Sequence, residues 1–322
     1  MGDSYVAAID IGGTKILAGL ISYDGRLLCS RRVPSNARRG ADAVVASIAS
    51  TLHALLEAEG MQSTQIAAIG CSVPGPLDRR RGVVVFSPNL DWHDYPLRDA
   101  LAGYFPRPIL IDDDANCAAL GEGWRGAAAD SANFLYVTIS TGVGAGVVID
   151  NRVYHGAHDV AGEAGHMVIE PNGPTCSCGN IGCLEALCSG TSIAARARDA
   201  LRHGEETQLR AMVGSRPKSL SSEMVFAAAA QGDDVAREIL ATAGMYLGIG
   251  LANLATVFDP EMIVLGGGVL DGGEAMLGSV RTSFMRRALP SVRATPLRLA
   301  LLGSHSALVG AGRLVMIGHG AS

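Results

Sequence analysis

The feature that most constrains the fold is a plan that the chain writes twice. Residues 5–28, YVAAIDIGGTKILAGLISYDGRLL, read as an apolar strand, a polar glycine turn, a second strand, an Asp-Gly turn and a third strand. Residues 133–155, NFLYVTISTGVGAGVVIDNRVYH, repeat that plan, with Asp150-Asn151 at the second turn. Each set is followed by an apolar strand running into glycine or proline: Gln65–Ser72 before Val73-Pro74-Gly75, and Glu261–Leu265 before Gly266-Gly267-Gly268. Each half closes with a strand leading into a small-residue helix, ILIDDDANCAALGEG over 109–123 and LRLALLGSHSALVGAG over 297–312. Amphipathic helices are expected at Ala41–Glu59 and Asp234–Phe258, the second carrying Gly244, Gly248 and Gly250 for close packing. Two similar α/β lobes predict an interlobe cleft, the usual place for a ligand.

The bulk numbers agree with two lobes and narrow the function. The chain has 322 residues, too long for one ordinary domain, and its 48% hydrophobic content supplies a large core. A net charge of −5 argues against a nucleic-acid partner, and the short runs Arg31-Arg32, Arg38-Arg39 and Arg79-Arg80-Arg81 read as solvated faces. No apolar run approaches the roughly 20 residues of a membrane span, and no signal-peptide pattern opens the sequence. A cytoplasmic chain without a membrane partner is therefore expected. Of seven cysteines, Cys176, Cys178 and Cys183 are clustered, which suits a metal site in a reducing compartment better than a disulfide framework. Cys29, Cys71, Cys117 and Cys188 lack partners at ligand spacing and read as small core residues.

The glycine turns carry the first chemical signal. Asp10-Ile11-Gly12-Gly13-Thr14-Lys15 joins two strands, so its backbone N–H groups can approach an anion closely and the Thr14 hydroxyl adds a donor. It is neither a Walker A loop nor a Rossmann fingerprint, because the spacing differs and a strand follows. Asp10, at the strand end, could hold a magnesium ion through water. The second turn, Ser140-Thr141-Gly142-Val143-Gly144-Ala145-Gly146, has the same hydroxyl-plus-glycine character, and two such turns can grip a polyphosphate. Gly266-Gly267-Gly268 then offers a flat surface for a nucleoside. A lone glycine turn would be an ordinary β-turn; the pairing is what gives it weight.

His166, Cys176, Cys178 and Cys183 form a Cys₃His set suited to tetrahedral zinc. Four protein ligands leave no open position, so the metal is expected to be structural. Glu163 and Glu185 flank this knuckle and could accept from sugar hydroxyls, and Asn89 could add an amide contact. In Asp112-Asp113-Asp114, one aspartate is expected to cap the following helix. Asp114 can take the proton from an attacking hydroxyl as a γ-phosphate is transferred.

These residues resemble the ROK family (repressor, ORF, kinase) of the actin-like ATPase superfamily, and its glucokinase branch in particular. The resemblance spans nearly the whole chain. It rests on AIDIGGTK at 8–15, SVPGPLD at 72–78, PNLDW at 88–92 and DDDANCAALGE at 112–122. It continues in STGVGAG at 140–146, GEAGH at 162–166, CSCGNIGCLEALCSG at 176–190 and VLGGGV at 264–269. It implies two actin-like, ribonuclease H-like lobes with the zinc loop in the second. The first would cover 1–115, a C-terminal helix at about 304–322 returning to it, and the second 116–303 with the knuckle at 166–183.

The resemblance further implies Asp114 as catalytic base and sugar contacts from Gly75, Asn89, Asp113, Glu163, His166 and Glu185. His166 would thus serve both zinc and substrate. ATP contacts are implied for Asp10, Gly12, Gly13, Thr14, Lys15, Thr141, Gly142, Gly144, Gly266 and Gly267. The cofactors would be ATP with magnesium and one zinc, and the assembly a dimer or tetramer. The family usually has Asn-Asp where this chain has Asp113-Asp114, so sugar preference or pH optimum can differ, since neighbouring carboxylates raise one another's pKa.

The expected activity is phosphorylation of a hexose, with glucose favoured. N-acetylmannosamine, N-acetylglucosamine, fructose and allose remain open as alternatives. A sugar-responsive repressor is disfavoured, because a repressor carries a helix-turn-helix ahead of the first glycine turn and here Asp10 is the tenth residue.

Overall fold

The computed structural model describes residues 5–270 and 273–319, so the last residues of the expected 304–322 helix lie outside the described residues. Contacts within the chain divide it into two compact units. The first comprises 1–132, 146–161 and 300–322, and the second 133–145 and 162–299.

The first unit is built on a five-stranded sheet. Its strands are β1 (Tyr5–Ile11), β2 (Lys15–Ser22), β3 (Leu27–Pro34), β4 (Ile66–Val73) and β8 (Ile109–Asp113), in the order β3-β2-β1-β4-β8. β1, β2 and β3 pair antiparallel as a meander, whereas β4 and β8 add in parallel. Strand alternation sends Ala7, Ile9 and Ile11 to one face, packed with Val44, Ile48 and Leu52 of α1 (Ala41–Ala58). Val6 and Ala8 go to the other face, with Leu308, Ala311 and Val315 of α10 (Ser306–His319). A three-stranded sheet of β5 (Leu77–Asp78), β6 (Val83–Ser87) and β7 (Trp92–Tyr95) precedes α2 (Leu97–Ala102), and α3 (Asp114–Arg125) follows β8 directly.

The second sheet repeats the order. Its strands are β9 (Phe134–Ile139), β10 (Val143–Ile149), β11 (Arg152–Val153), β12 (Met262–Gly266) and β13 (Leu297–Leu299), arranged β11-β10-β9-β12-β13. The duplication read from sequence is thus present strand for strand, although β11 is only a two-residue remnant of the expected third strand. Helices α4 (Leu184–Cys188), α5 (Gly190–His203), α6 (Leu209–Val213), α7 (Ser222–Ala230), α8 (Asp234–Phe258) and α9 (Glu274–Arg287) lie in the second unit, whereas β11 and residues 146–149 of β10 are counted with the first. The glycines of α8 allow the expected close approach. A Cβ on Gly244 or Gly248 would meet the backbone of α9, and one on Gly250 would meet Leu184.

The duplication leaves its sharpest trace where α3 and α10 cross. A Cβ on Gly121 would overlap the carbonyl oxygen of Ser306, and one on Gly310 would overlap that of Cys117. Each glycine therefore faces the carbonyl four residues before the other, a reciprocal contact between the corresponding helices of the two halves. Gly70 of β4 is likewise filled by the Ala311 carbonyl.

The structure corrects one reading of the sequence. By length and composition, α1 and α8 are apolar enough to cross a bilayer, because scattered polar residues interrupt their apolar runs without lowering the average much. Each buries its apolar side within its own unit: Val45, Ile48 and Leu52 in α1, and Leu240, Leu247 and Leu251 in α8.

Candidate functional site

In the first unit, β1 delivers Asp10 one residue before its end, and the chain turns through Gly12, Gly13 and Thr14 into β2. The turn is held from both sides. The Gly12 N–H donates to the Lys15 carbonyl at 2.8 Å, the Ser35 N–H to that of Thr14 at 3.0 Å, and Ser35 Oγ to that of Gly13 at 2.7 Å. Asn89, after β6, presses on the turn so closely that a Cβ on Gly13 would come within 2.8 Å of its Cβ and its carbonyl oxygen. Thr14, Lys15 and Asn89 are exposed. Gly75 turns at φ 104° against the Phe86 carbonyl, a conformation and a clearance that only glycine satisfies.

Register places Arg32, Leu17, Asp10, Ser72 and Asp112 in one row across the sheet. Burial pushes the Asp10 carboxyl up to about 6; the Ser72 hydroxyl, which donates to its Oδ1 at 2.9 Å, and Arg32 oppose the rise, while Asp114 adds to it. Asp10 is thus a carboxylate short of positive charge. That property fits a cation beside it, the role expected for magnesium.

The three aspartates divide their tasks. Asp113 is the cap: its Oδ1 accepts from the Ala115 N–H at 3.0 Å. Asp114 is the first residue of α3 and remains partly exposed. Asp112 is fully buried. The buried Cys117 thiol is pushed well above its usual range, first by burial and then by Asp112, Asp113, Asp10 and Asp114, so these four carboxylates share one neighbourhood.

In the second unit, the turn from β9 to β10 is bound to the elements behind it. The Gly190 N–H donates to the Ser140 carbonyl at 2.8 Å and Thr191 Oγ1 to that of Thr141 at 2.8 Å. Glu185 ties this turn to the cysteine loop. Its Oε2 accepts from the Val143 N–H at 3.1 Å and fills the space where a Gly142 Cβ would lie, and its Oε1 accepts from Ser177 Oγ at 3.0 Å. A sugar hydroxyl would have to share a carboxylate already engaged on both oxygens. Gly144 lies within β10, and Gly266 and Gly267 pack against Tyr136 and the Ile139 backbone.

The ligand atoms of His166, Cys176, Cys178 and Cys183 all lie within 4.8 Å of one another. Cys178 Sγ and Cys183 Sγ are 3.8 Å apart, and Cys176 Sγ and His166 Nδ1 are 3.7 Å apart. A tetrahedron with zinc–sulfur bonds near 2.3 Å and zinc–nitrogen bonds near 2.05 Å has edges of about 3.8 and 3.6 Å. The donor set therefore fits zinc in chemistry and in size. Backbone bonds shape the loop independently: the Cys176 N–H donates to the Asn180 carbonyl at 2.7 Å, and Gly179 and Gly182 turn at φ 89° and 74°. With Nδ1 toward the cluster, His166 directs Nε2 toward Glu163, 3.8 Å from its Oε2.

The model of the ROK family matches residues 6–317. The chain belongs to the ROK family. The glucokinase of Halalkalibacterium halodurans is 35% identical over 317 residues, covering 98% of this chain and 96% of that one. A ROK family glucokinase from Streptomyces griseus, solved in complex with glucose and AMPPNP, superposes with a TM-score of 0.84 at 33% identity, covering 97% of this chain and 99% of that one. The xylose repressor of Bacillus subtilis is 31% identical over 285 residues, or 88% of this chain and 69% of that one.

In this ROK protein several residues around the aspartates were given no role by the sequence. Ser72 sits inside an apolar strand, and only the pairing of β1 with β4 brings its hydroxyl to Asp10. His155 is 43 residues from Asp112, yet its Nε2 lies 2.8 Å from Asp112 Oδ2. Arg79, read as part of a solvated run, turns Nη1 toward the same oxygen at 3.8 Å. Glu122, in the expected small-residue helix, is fully buried. It accepts from the N–H groups of Ala127, Leu301 and Leu302 and from Ser306 Oγ.

Proposed function

We propose that this ROK sugar kinase transfers the γ-phosphoryl group of ATP to the 6-hydroxyl of glucose, with Asp114 as general base. The observation that carries this reading is the placement of Asp114. It opens α3 partly exposed, and its charge reaches Asp10 beside the first glycine turn. The likeness to glucokinases at 33–35% identity over nearly the whole chain supports glucose as the sugar.

The hydroxyl proton passes to the Asp114 carboxylate as the new O–P bond forms. The bond to the β-phosphate oxygen breaks, and ADP leaves with that electron pair. The turns at Gly12-Gly13-Thr14-Lys15 and Thr141-Gly142 would hold the phosphates through backbone N–H groups. Asp10 would hold magnesium, which offsets phosphate charge when bound. Gly75, Asn89, Asp113, Glu163 and His166 Nε2 would contact the sugar, with Glu185 sharing its oxygens. Zinc on His166, Cys176, Cys178 and Cys183 would fix the loop beside Glu163, His166 and Glu185. The same reading assigns the enzyme to the cytoplasm, which is reducing and holds ATP.

The test is an ADP-release assay with glucose, fructose, allose, N-acetylmannosamine and N-acetylglucosamine. Glucose should give the highest kcat/KM, and a clear preference for another sugar would overturn the glucose assignment. Asp114→Asn should lower kcat by roughly 10²–10⁴-fold in a folded protein, the range of general-base catalysis; undiminished turnover would remove Asp114 from its role. Sugar binding without any ADP release would favour a regulator akin to the repressor relatives.

A further inference from the structure

Asp112 is a fully buried carboxylate that the proposed phosphoryl transfer does not use, and its two oxygens face different parts of the first unit. Oδ1 accepts from the Asp113 N–H at 2.8 Å and from Asn116 Nδ2 at 3.1 Å, so it grips the junction of β8 and α3 from within. Oδ2 faces away from that junction. There it meets His155 Nε2 at 2.8 Å, with the Arg79 guanidinium a charge neighbour at 3.8 Å. Arg79 Nη1 is itself buried without a hydrogen-bond partner, so His155 supplies the one close donor to Oδ2 among the described residues.

The surroundings make that donor matter. Asp10, Asp112, Asp113 and Asp114 crowd around Cys117, and a buried carboxylate in such company needs a positive or donating partner to hold one orientation. His155 is only 21% exposed and is anchored in turn, its carbonyl accepting from the Ala161 N–H at 3.1 Å. The Asp112 side chain is thus a strut with His155 at one end. At the other end are the peptide of Asp113 and the first turn of α3, where Asp114 stands.

We propose that His155 is a positioning residue for phosphoryl transfer, acting through Asp112 to fix the direction in which Asp114 presents its carboxylate. This rests on the reading of Asp114 as the base. Loss of the donor frees the Asp112 carboxylate to rotate, and the first turn of α3 moves with it. Sugar and nucleotide still bind through their other contacts, so the deficit falls on kcat.

The experiment compares His155→Ala, His155→Gln and His155→Asn by steady-state kinetics, with and without added imidazole, beside Asp114→Asn and the double variant. His155→Ala should lower kcat about tenfold or more while both KM values stay within about twofold, since sub-ångström misplacement costs rate before binding. Imidazole should restore much of the loss. Gln, whose amide reaches Asp112, should retain most of the activity, and the shorter Asn should not. In the Asp114→Asn background, His155→Ala should cost nothing further.

Unchanged kcat in His155→Ala, a rise in KM alone, or a full additional loss in the double variant would overturn the proposal. If His155→Ala does not fold, equal kcat in the Gln and Asn variants would overturn it. Undiminished turnover in Asp114→Asn alone would instead overturn the base, a result read independently of His155.

Discussion

Glu122→Gln isolates the contact on which the base of α3 depends. The wild-type carboxylate accepts four hydrogen bonds. Oε1 accepts from the Leu302 N–H at 2.9 Å and Ser306 Oγ at 2.7 Å, and Oε2 from the Ala127 N–H at 2.7 Å and the Leu301 N–H at 3.0 Å. An amide of the same size must place its NH₂ on one side. Facing Ala127 and Leu301, it would oppose two backbone donors. Facing Leu302 and Ser306 it opposes only one, because the Ser306 hydroxyl can turn to the Gly303 carbonyl, 2.8 Å away, and accept from the amide.

The cheaper arrangement therefore leaves the Leu302 N–H orphaned, at about 1–3 kcal/mol, and turns two charge-assisted bonds into neutral ones, at about 1 kcal/mol each. The expected loss is about 3–5 kcal/mol, or a Tm lower by about 10 °C at 2–4 °C per kcal/mol. Urea titration followed by circular dichroism reads the first and a thermal scan the second. Because Glu122 shares α3 with Asp114, the melting of the first unit and the loss of ADP release on warming should coincide. A loss below about 1 kcal/mol would refute the argument that these buried donors depend on the charge.

Gly310→Ala should cost about 3 kcal/mol or more, because its Cβ lands on the Cys117 carbonyl and backbone cannot step aside; a Tm within 2 °C of wild type would contradict the crossing geometry. Asp10→Asn should stabilise the metal-free protein at pH 8 by up to about 3 kcal/mol while abolishing phosphorylation, since the folded state holds the Asp10 carboxyl near 6 against 3.8 unfolded. The folded state then binds more protons between those values, so stability falls as pH rises through that window in wild type and not in the variant. A Tm difference independent of pH would refute the assignment. Metal analysis should find one zinc per chain, and Cys178→Ser should lower both metal content and Tm; full stability after chelation would show that the loop stands without metal.

Much of this was legible in the sequence, for identifiable reasons. The repeat of strand and glycine turn fixed both sheets because alternation and Gly/Asp turns are local signals. α8 runs over Asp234–Phe258 as expected, because apolar periodicity is a local signal as well. The knuckle was readable because its four ligands lie within 18 residues. The Asp112-Asp113-Asp114 run was not resolvable by type: three identical residues became a buried acceptor, a cap and a partly exposed carboxylate only once β8 paired with β4. Nor could the sequence show that both Glu185 oxygens are engaged, or that His155 and Arg79 meet at one oxygen, because these contacts join segments far apart in the chain.

The composition of the first unit sets an order of events during synthesis. Its sheet and α3 are complete by residue 132, but the helix that covers Val6, Ala8, Ala68 and Cys117 begins only at Ser306. At 5–20 residues per second the ribosome needs roughly 9–35 s to reach it. For that interval an apolar sheet face waits uncovered, while the segment of the second unit from 162 to 299 emerges without interruption. The nascent chain, more than the finished one, is where this protein is open to aggregation and where a chaperone would find its hold.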